Sequence, residues 1–506
     1  LIDLLRALYG NLEYVVRFNG DTTDSFRALA GILIGDPASP VLWILLIADF
    51  RPHPHCDDVL IAGVRVAHMW LADDGMLVCL SAAGIQQKLN DFDRYRAGRF
   101  LSVSVPKTAA SVFGDLPPTL PALVLNGGHI RYVETYVYTG TAFTSTSRDV
   151  FSEHYSRRAT SAEKVGWASF SLESYTGTLP PEVALTLYRA RVEPHLTFGC
   201  EVALDVYSSS YERLEKVQKA LLRRALGLGS HSQVTPLFSE TGVQPIRYRR
   251  LDLALRYARY ATQPSAPLYV AAALRESHML AQAGHPSWWA DLYHALAKLP
   301  VPVALSLQAA LSMQLVDTLL RSLGDSLADY IYTSVMGSER LPILAKRFGA
   351  LSAPRPPLRL LCKWRSYLNV RYAPHREALV RLVVSDHKLA IESLRRVSPK
   401  VPRHRRICRF CRKRWAVESE LHVLLECSNE ELCTMREEFH DRIRTKLPKL
   451  PRVRTGWTWE CQFELFLQTD TVLPELAEFV HDVLTLADTI PPLLLSNDSD
   501  LLDLQA

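Results

Sequence analysis

The sequence has no long apolar run and few cysteines. The first observation argues against a membrane-spanning protein, and the second argues against a disulfide-rich one. No apolar stretch approaches the ~20 residues that a helix needs to cross a bilayer, and the longest candidate, Val41 to Ala48, ends at Asp49. No signal peptide is visible. Nine cysteines in 506 residues are too few and too scattered for a disulfide framework. We therefore expect an intracellular protein, nuclear or cytoplasmic, with no membrane partner.

Internal repeats and long low-complexity tracts are absent too, so the chain is not a solenoid or a disordered linker. Apolar residues make up 48% of it, which is typical of globular proteins, and its length allows two to four domains. The chain begins with Leu1 rather than Met, which we interpret as a partial product. Residues 1–145 mix strand, helix and turn patterns, and from Phe151 onward the pattern is mostly helical.

Several helices can be predicted from their ends and apolar faces. Ser81 is a good N-cap for a helix that follows it, and Pro181 suits the first turn of another. Leu214 to Ala225 has an apolar stripe at helical spacing, Arg247 to Tyr260 forms an arginine-rich helix, and Leu473 to Leu486 forms the last amphipathic helix.

Positive charge is concentrated in one block. Arg355 to Arg414 contains 18 Lys and Arg against three acids, a net charge of +15, whereas the whole chain has +5. The rest therefore carries 40 bases against 50 acids, a net charge of −10. A basic block in an otherwise acidic protein favours contact with a polyanion such as nucleic acid; the alternative is a solvated basic surface.

Two adjacent acids, Asp73 and Asp74, lie between the apolar runs Val64 to Leu71 and Met76 to Leu80. A strand, a polar turn and a second strand predict a β-hairpin with the acids at its tip. Neighbouring carboxylates are costly unless a cation neutralises them, and Mg²⁺ prefers oxygen ligands. They are candidate Mg²⁺ ligands, although two acids in a turn are also common without a metal.

Three cysteines and a histidine near the basic block have metal-ligand spacing. Cys408, Cys411, His422 and Cys427 follow the pattern Cys-x2-Cys-x10-His-x4-Cys. Three thiolates and one imidazole fill a tetrahedral Zn²⁺ shell and leave no open position, so the predicted site is structural rather than catalytic. Cys433 is an alternative ligand.

The motifs around Asp73 and Asp74 resemble, in order, those of reverse transcriptases from LINE-type (non-LTR) retrotransposons. Gly35-Asp-Pro-Ala-Ser-Pro40 is similar to the turn that positions template and nucleotide, and Leu71-Ala-Asp-Asp74 to the catalytic Tyr/Phe-Ala-Asp-Asp box. Lys107-Thr108 is similar to the Lys-Thr that follows the box, and Tyr138-Thr-Gly140 to the primer-grip strand.

The resemblance extends beyond these motifs. Leu179-Pro-Pro and Leu214 to Gln218 look like parts of the helical thumb and connector, and the cysteine cluster resembles the family's C-terminal Cys-Cys-His-Cys module. The chain also departs from the family pattern. It has Ile34 where the family has Gln, Leu71 where it has an aromatic residue and Gly75 where a larger apolar residue is common.

The resemblance implies particular roles for particular residues. Asp73 would bind Mg²⁺ directly with Asp74 beside it, and Lys107 would donate a proton or charge to the leaving pyrophosphate. Template and nucleotide would lie against Gly35, Asp36, Pro37, Ser39 and Pro40, and the primer against Tyr138 and Gly140.

We therefore expect an incomplete α+β polymerase palm followed by a mostly α-helical thumb and connector and a small zinc-binding C-terminal module. The predicted boundaries are 1–145 for the palm, 146–262 for the thumb and connector, 263–352 for a helical linker region and 353–506 for the basic region, whose zinc module spans 408–427.

By this resemblance the complete enzyme copies an RNA template into DNA from a DNA primer or target, using dNTPs, within a ribonucleoprotein. The strand with the family's first catalytic Asp would precede Leu1, so we expect the chain alone to be inactive. The alternatives are a non-catalytic nucleic-acid-binding remnant, which would use the thumb and zinc module, and a decayed product without function.

Overall fold

The computed structural model describes residues 2–27, 31–33, 35–350, 356–446, 459–495 and 504. It divides into two compact units, Leu1–Thr146 and Ser147–Ala506, and is mostly helical with small sheets. Ile34 and Arg355 lie outside the described residues, as do most of a proline-containing segment that the sequence predicts to be a linker (352–357) and most of an acidic tail (493–506). The four predicted functional domains remain a prediction.

The first unit combines short strands with three α-helices among its described residues. The helices are α1 (Ile2–Gly10), α2 (Ser39–Ile47) and α3 (Ala82–Ala97), with a 3₁₀ turn at Val105–Lys107. The strands are β1 (Arg17–Phe18), β2 (Asp21–Thr22), β3 (Val59–Ile61), β4 (Val64–Val66), β5 (His68–Leu71), β6 (Asp74–Leu77), β7 (Ala109–Ala110), β8 (Leu123–Leu125), β9 (Gly128–Tyr132), β10 (Thr135–Tyr138) and β11 (Thr141–Thr144).

Most of these strands form two-stranded antiparallel hairpins: β1–β2, β3–β4, β5–β6 and β10–β11. A three-stranded sheet has the order β7-β9-β8, in which β7 pairs with β9 in parallel. Ser81 caps α3 as predicted, because its Oγ accepts from the backbone N–H of Gly84 at 3.2 Å. Leu89 of α3 packs against Leu123, Leu125 and Ile130 of the three-stranded sheet and forms the core of this unit.

In the second unit the described elements are helical, and isolated β-bridges such as Ile407–Val417 occur between them. Its helices are α4 (Ser152–Phe170), α5 (Glu173–Thr176), α6 (Pro181–Leu187), α7 (Glu193–Thr197), α8 (Ser208–Ala225), α9 (Thr235–Ser239), α10 (Ile246–Ala261), α11 (Leu268–Gln282), α12 (Trp288–Ala297), α13 (Met313–Met336), α14 (Pro342–Gly349), α15 (Leu358–Leu361), α16 (Ala373–Val383), α17 (Ala390–Ser393), α18 (Glu430–Lys446), α19 (Trp459–Gln468) and α20 (Leu473–Thr489). The π-turns are Tyr188–Val192 and His422–Glu426, and the 3₁₀ turns are Ser366–Asn369 and Arg403–Arg405.

The predicted helices form, and the bounds predicted for α10 and α20 differ from the observed ones by at most three residues. Pro181 begins α6, and the stripe from Leu214 to Ala225 is buried on α8. One continuous hydrophobic core links these helices with α16 and α20. None of the described helices combines the length and apolarity that a membrane crossing requires.

Buried arginines such as Arg250 stabilise this core through several hydrogen bonds. Arg250 of α10 is buried, and its guanidinium donates to Asp205 at 2.8 Å, to the Tyr155 hydroxyl at 2.9 Å and to the carbonyls of Leu196 and Ala203. The arginine-rich helix predicted from sequence is therefore only partly a basic surface. A buried guanidinium is stable only when its charge and its donors are satisfied together.

We predict that Arg250→Met destabilises the protein by about 3–5 kcal/mol, because it leaves the Asp205 carboxylate buried without its partner. Chemical denaturation of the two proteins measures the difference. Arg256→Met on the same helix is the control: Arg256 is 64% exposed in its pair with Asp252, and such pairs contribute only ~0–1 kcal/mol. Equal effects of the two substitutions would contradict the structural role of Arg250.

Candidate metal centres and nucleic-acid site

The predicted acidic hairpin forms, with Asp73 and Asp74 at its tip. Strands β5 and β6 are antiparallel, and Leu71 and Asp74 are the last pair before the two-residue turn Ala72-Asp73. Ala72 takes a left-handed conformation with φ 52°, which is uncommon for a residue with a Cβ. Both acids are exposed, so their carboxylates are open to a ligand from solvent.

Aromatic packing holds this hairpin in place. Trp70 lies directly opposite Gly75 across the two strands, and a methyl group at Gly75 would lie only 2.2 Å from the Trp70 ring. The indole thus occupies the space that a side chain at position 75 would need. The other neighbours of Trp70 are Phe50, edge-on at 6.0 Å between centroids, and Phe92 of α3 at 5.3 Å.

The turn from Gly35 to Pro40 begins α2. Gly35 has φ 90°, a conformation that glycine adopts without strain, and Pro40 stands in the first helical turn, where no N–H is needed. The buried Ser39 hydroxyl donates to the Leu33 carbonyl at 2.7 Å. A hydrogen bond from the Tyr9 hydroxyl lowers the pKa of Asp36, and Pro37 is exposed.

Two contacts bring other predicted residues to the acidic hairpin. The indole N–H of Trp43 in α2 donates to the Ala72 carbonyl, so the helix that the Gly35 turn begins lies against the hairpin tip. The Tyr138 hydroxyl donates to the Asp74 carbonyl at 3.5 Å. Tyr138 ends β10, and the Thr139-Gly140 turn that follows has positive φ at both residues, as type I′ hairpin turns do.

Lys107 lies elsewhere in the fold. It is exposed at the end of the 3₁₀ turn Val105–Lys107, and one residue separates it from β7 of the three-stranded sheet. The structure thus brings Tyr138 and Trp43 of α2, the helix that the Gly35 turn begins, to the hairpin of Asp73 and Asp74, whereas Lys107 lies next to a different sheet.

The carboxylates of Asp73 and Asp74 are suitable ligands for a hard cation such as Mg²⁺. In the described part of the chain, however, no third His, Cys, Asp or Glu joins them in a group of metal-ligand dimensions. The donor type fits Mg²⁺, and the donor number is lower than two-metal catalysis requires.

The four predicted zinc ligands converge on one point. Their ligand atoms all lie within 4.8 Å of one another. The sulfurs of Cys408 and Cys427 are 3.8 Å apart, and Sγ of Cys411 is 3.5 Å from Nε2 of His422. With Zn–S bonds of about 2.3 Å and a Zn–N bond of about 2.0 Å, a tetrahedron has S···S edges of about 3.8 Å and S···N edges of about 3.5 Å. The cluster therefore has the dimensions of a Zn²⁺ shell.

Further features of the cluster agree with metal binding. Hydrogen bonds from Cys408 and Cys427 lower the pKa of the Cys411 thiol and so favour its thiolate, the form that binds metals. Glu426 lies 3.7 Å from Nδ1 of His422, where a carboxylate can orient a ligating imidazole. Cys433 is not part of the cluster, and its thiol donates to the Cys427 carbonyl at 3.6 Å. The alternative ligand set is therefore not formed.

The cluster is built into the helical core. Cys408 and Cys427 are fully buried in that core. Arg409 pairs with the buried Glu418 at 2.7 Å and donates to the carbonyls of Ala487 and Ile490 beyond it. The metal cluster thus shares its packing with α20, and the expected small C-terminal module is part of a larger unit.

The basic block is only partly available to a polyanion. Arg365, Arg376, Arg406 and Arg409 are buried and donate to carbonyls or carboxylates of the protein. For Arg406 and Arg409, expected among the phosphate contacts, that expectation is wrong, because the fold uses both guanidiniums internally. The exposed bases of the block are Arg359, Lys363, Arg371, Arg381, Lys388, Arg396, Lys400, Arg403, Arg412 and Lys413.

Comparison with known proteins supports the resemblance to reverse transcriptases at low sequence identity. No family model matches the chain. The RNA-directed DNA polymerase from mobile element jockey of Drosophila melanogaster is 22% identical over 238 residues, which are 45% of this chain. They are 25% of that polymerase, so the chain spans about a quarter of the relative that it matches. The chain is thus distantly similar to a non-LTR retrotransposon reverse transcriptase.

Sequence reasoning missed residues whose role depends on tertiary contacts. Trp43 and Trp70 had no recognisable signal, although both hold the acidic hairpin. The contact of Glu426 with His422 could have been predicted, because a carboxylate four residues after a ligating histidine lies on the same helical face.

We predict that the full chain binds about one Zn²⁺ and that Cys408→Ser abolishes this binding, since a thiolate at a buried position cannot be replaced by a hydroxyl. Cys433→Ser should leave the zinc content unchanged, because Cys433 lies outside the cluster. Elemental analysis of the purified proteins gives the stoichiometry. Zinc retained by the Cys408 variant, or lost equally from both, would refute this ligand set.

Proposed function

We propose that this chain is part of a non-LTR retrotransposon reverse transcriptase, in which the first unit contributes half of a polymerase palm. The observation that carries the proposal is that Trp43 of α2, the helix that the Gly35 turn begins, and Tyr138 both hydrogen-bond to the hairpin that presents Asp73 and Asp74. The likeness to the jockey polymerase supports the same reaction, RNA-directed DNA synthesis.

In this proposal Asp73 holds Mg²⁺ directly and Asp74 completes its electrostatic environment. Bound Mg²⁺ supplies activation of the primer 3′-OH and charge neutralisation of the triphosphate. The exposed hairpin tip leaves room for both substrates. Tyr138 fixes the tip through the Asp74 carbonyl, and the Gly35 to Pro40 turn lies on the template and nucleotide side. Lys107 lies next to a different sheet from the acidic hairpin. Of the proposed roles, its role at the leaving pyrophosphate is therefore the least supported.

The second unit would contribute the thumb and the nucleic-acid contacts of the C-terminal region. Its packed helices supply a rigid frame, and its exposed bases near the metal cluster supply charge for phosphate groups. Template RNA and primer DNA are the proposed partners, with dNTPs as substrates and Zn²⁺ as a structural ion.

The palm proposal predicts that residues 1–146 can replace the corresponding segment of the jockey polymerase. We expect the chimera to extend a DNA primer on an RNA template, and Asp73→Asn to reduce the rate by at least ~10²–10³-fold, as loss of a well-placed electrostatic group does. Asp93→Asn is the control, since Asp93 pairs with Arg96 on α3 and is not among the residues proposed to bind Mg²⁺. Primer extension that does not depend on Asp73 would refute the catalytic assignment.

The chain by itself should not polymerise. Each Mg²⁺ needs near-octahedral oxygen coordination, and in the described part of the chain Asp73 and Asp74 have no third ligand. Primer extension by the purified chain with Mg²⁺ or Mn²⁺ should equal that of the Asp73→Ala, Asp74→Ala double variant. Robust extension that the double variant lacks would show that the two carboxylates are sufficient.

A non-catalytic nucleic-acid-binding protein is the second candidate, and one contrast favours it. The Cys408 cluster has all four of its ligands, whereas the acidic hairpin has two carboxylates and no more in the described residues. An inactive chimera together with zinc-dependent nucleic-acid binding by the chain would support this second function over the first.

A further inference from the structure

The loop between the first two metal ligands and His422 carries an exposed tryptophan. Trp415 is 77% exposed, and of the tryptophans whose side chains the structure describes it is the most exposed. An indole is normally at least partly covered, because burial of its large apolar surface is favourable. Its exposure here needs either a flexible loop or a ligand that covers it.

The loop around Trp415 is held at both ends. Ile407 and Val417 form an antiparallel bridge, the Cys408 N–H donates to the Ala416 carbonyl at 2.8 Å, and the Ala416 N–H donates to the Lys413 carbonyl at 3.0 Å. The Cys411 thiol belongs to the metal cluster. Trp415 is therefore presented by a fixed turn, which lowers the conformational entropy that a ligand has to remove on binding.

The charges next to Trp415 select an anionic ligand. Arg412 and Lys413 are exposed, and the guanidinium of Arg414 lies 4.9 Å from the centre of the Trp415 ring. These three cations form no ion pair with an acidic side chain of the described residues, whereas others of the basic block, such as Arg395 and Lys388, are paired with acids.

We propose that Trp415, Arg412, Lys413 and Arg414 form a stacking surface for an unpaired nucleotide strand. A base would stack on the indole while the cations contact the phosphates on either side, a combination that single-strand-binding proteins use. The paired bases of a duplex are already stacked and offer the indole no open face except at an end. This inference depends on the proposed function in one respect, which is that the anionic partner is a nucleic acid.

The test measures binding of the full zinc-loaded chain to a short fluorescein-labelled single-stranded RNA, to DNA of the same sequence and to a blunt RNA duplex, by anisotropy. Trp415→Ala should weaken single-strand binding about 5- to 100-fold and leave duplex binding unchanged. Trp415→Phe should retain most of the affinity, because it keeps an aromatic face. Tyr269→Ala, which removes an exposed ring from α11, is the matched control and should have no effect.

The salt dependence separates stacking from charge. Arg412→Gln with Lys413→Gln should reduce the slope of log affinity against log salt by about 0.7 for each phosphate that these two side chains neutralise, and Trp415→Ala should leave that slope unchanged. The two single-strand probes show whether RNA or DNA is preferred.

An equal loss of affinity for single strands and duplex in Trp415→Ala, or no loss at all, would overturn the stacking surface. So would a Trp415→Phe variant as weak as Trp415→Ala at full zinc content. This outcome is independent of the polymerase assignment, because the jockey chimera contains only the first unit and its extension depends on Asp73 rather than on Trp415.

Discussion

The buried ion pair of Arg409 and Glu418 is the constraint on which the metal cluster depends. Glu418 accepts from the backbone N–H groups of Arg409 and Ala390, and Arg409 also donates to the carbonyls of Ala487 and Lys388. Burying such a pair is tolerable only when nearly all donors and acceptors are satisfied. Because Arg409 follows Cys408 directly, this network fixes the position of the first ligand.

The sequence was sufficient for features whose determinants are local. The four metal ligands lie within twenty residues of one another, and a closed tetrahedral shell needs that donor set and spacing. The acidic hairpin was equally predictable, because two apolar runs flank a polar turn. Both follow from covalent proximity, which tertiary packing has little freedom to alter.

The sequence could not show which Lys and Arg side chains form hydrogen bonds and ion pairs inside the fold. Arg409 and Arg412 are three residues apart and chemically identical, yet one is buried against Glu418 and the carbonyls of a distant helix and the other is exposed. The difference depends on acceptors supplied from far along the chain, which no local pattern contains. For the same reason only the packing of Trp70 over Gly75 explains why a glycine stands where the family commonly has a larger apolar residue.

The two candidate metal sites should differ in how far the fold depends on the ion. Asp73 and Asp74 are exposed, so water screens their repulsion, and the aromatic contacts of Trp70 stabilise the hairpin independently of a cation. Cys408 and Cys427 are buried, so water cannot stabilise negative charge on their sulfurs, whereas a bound metal ion would. An ion at the buried cluster would therefore be structural, whereas one at the exposed tip would be exchangeable and could share its coordination shell with a substrate.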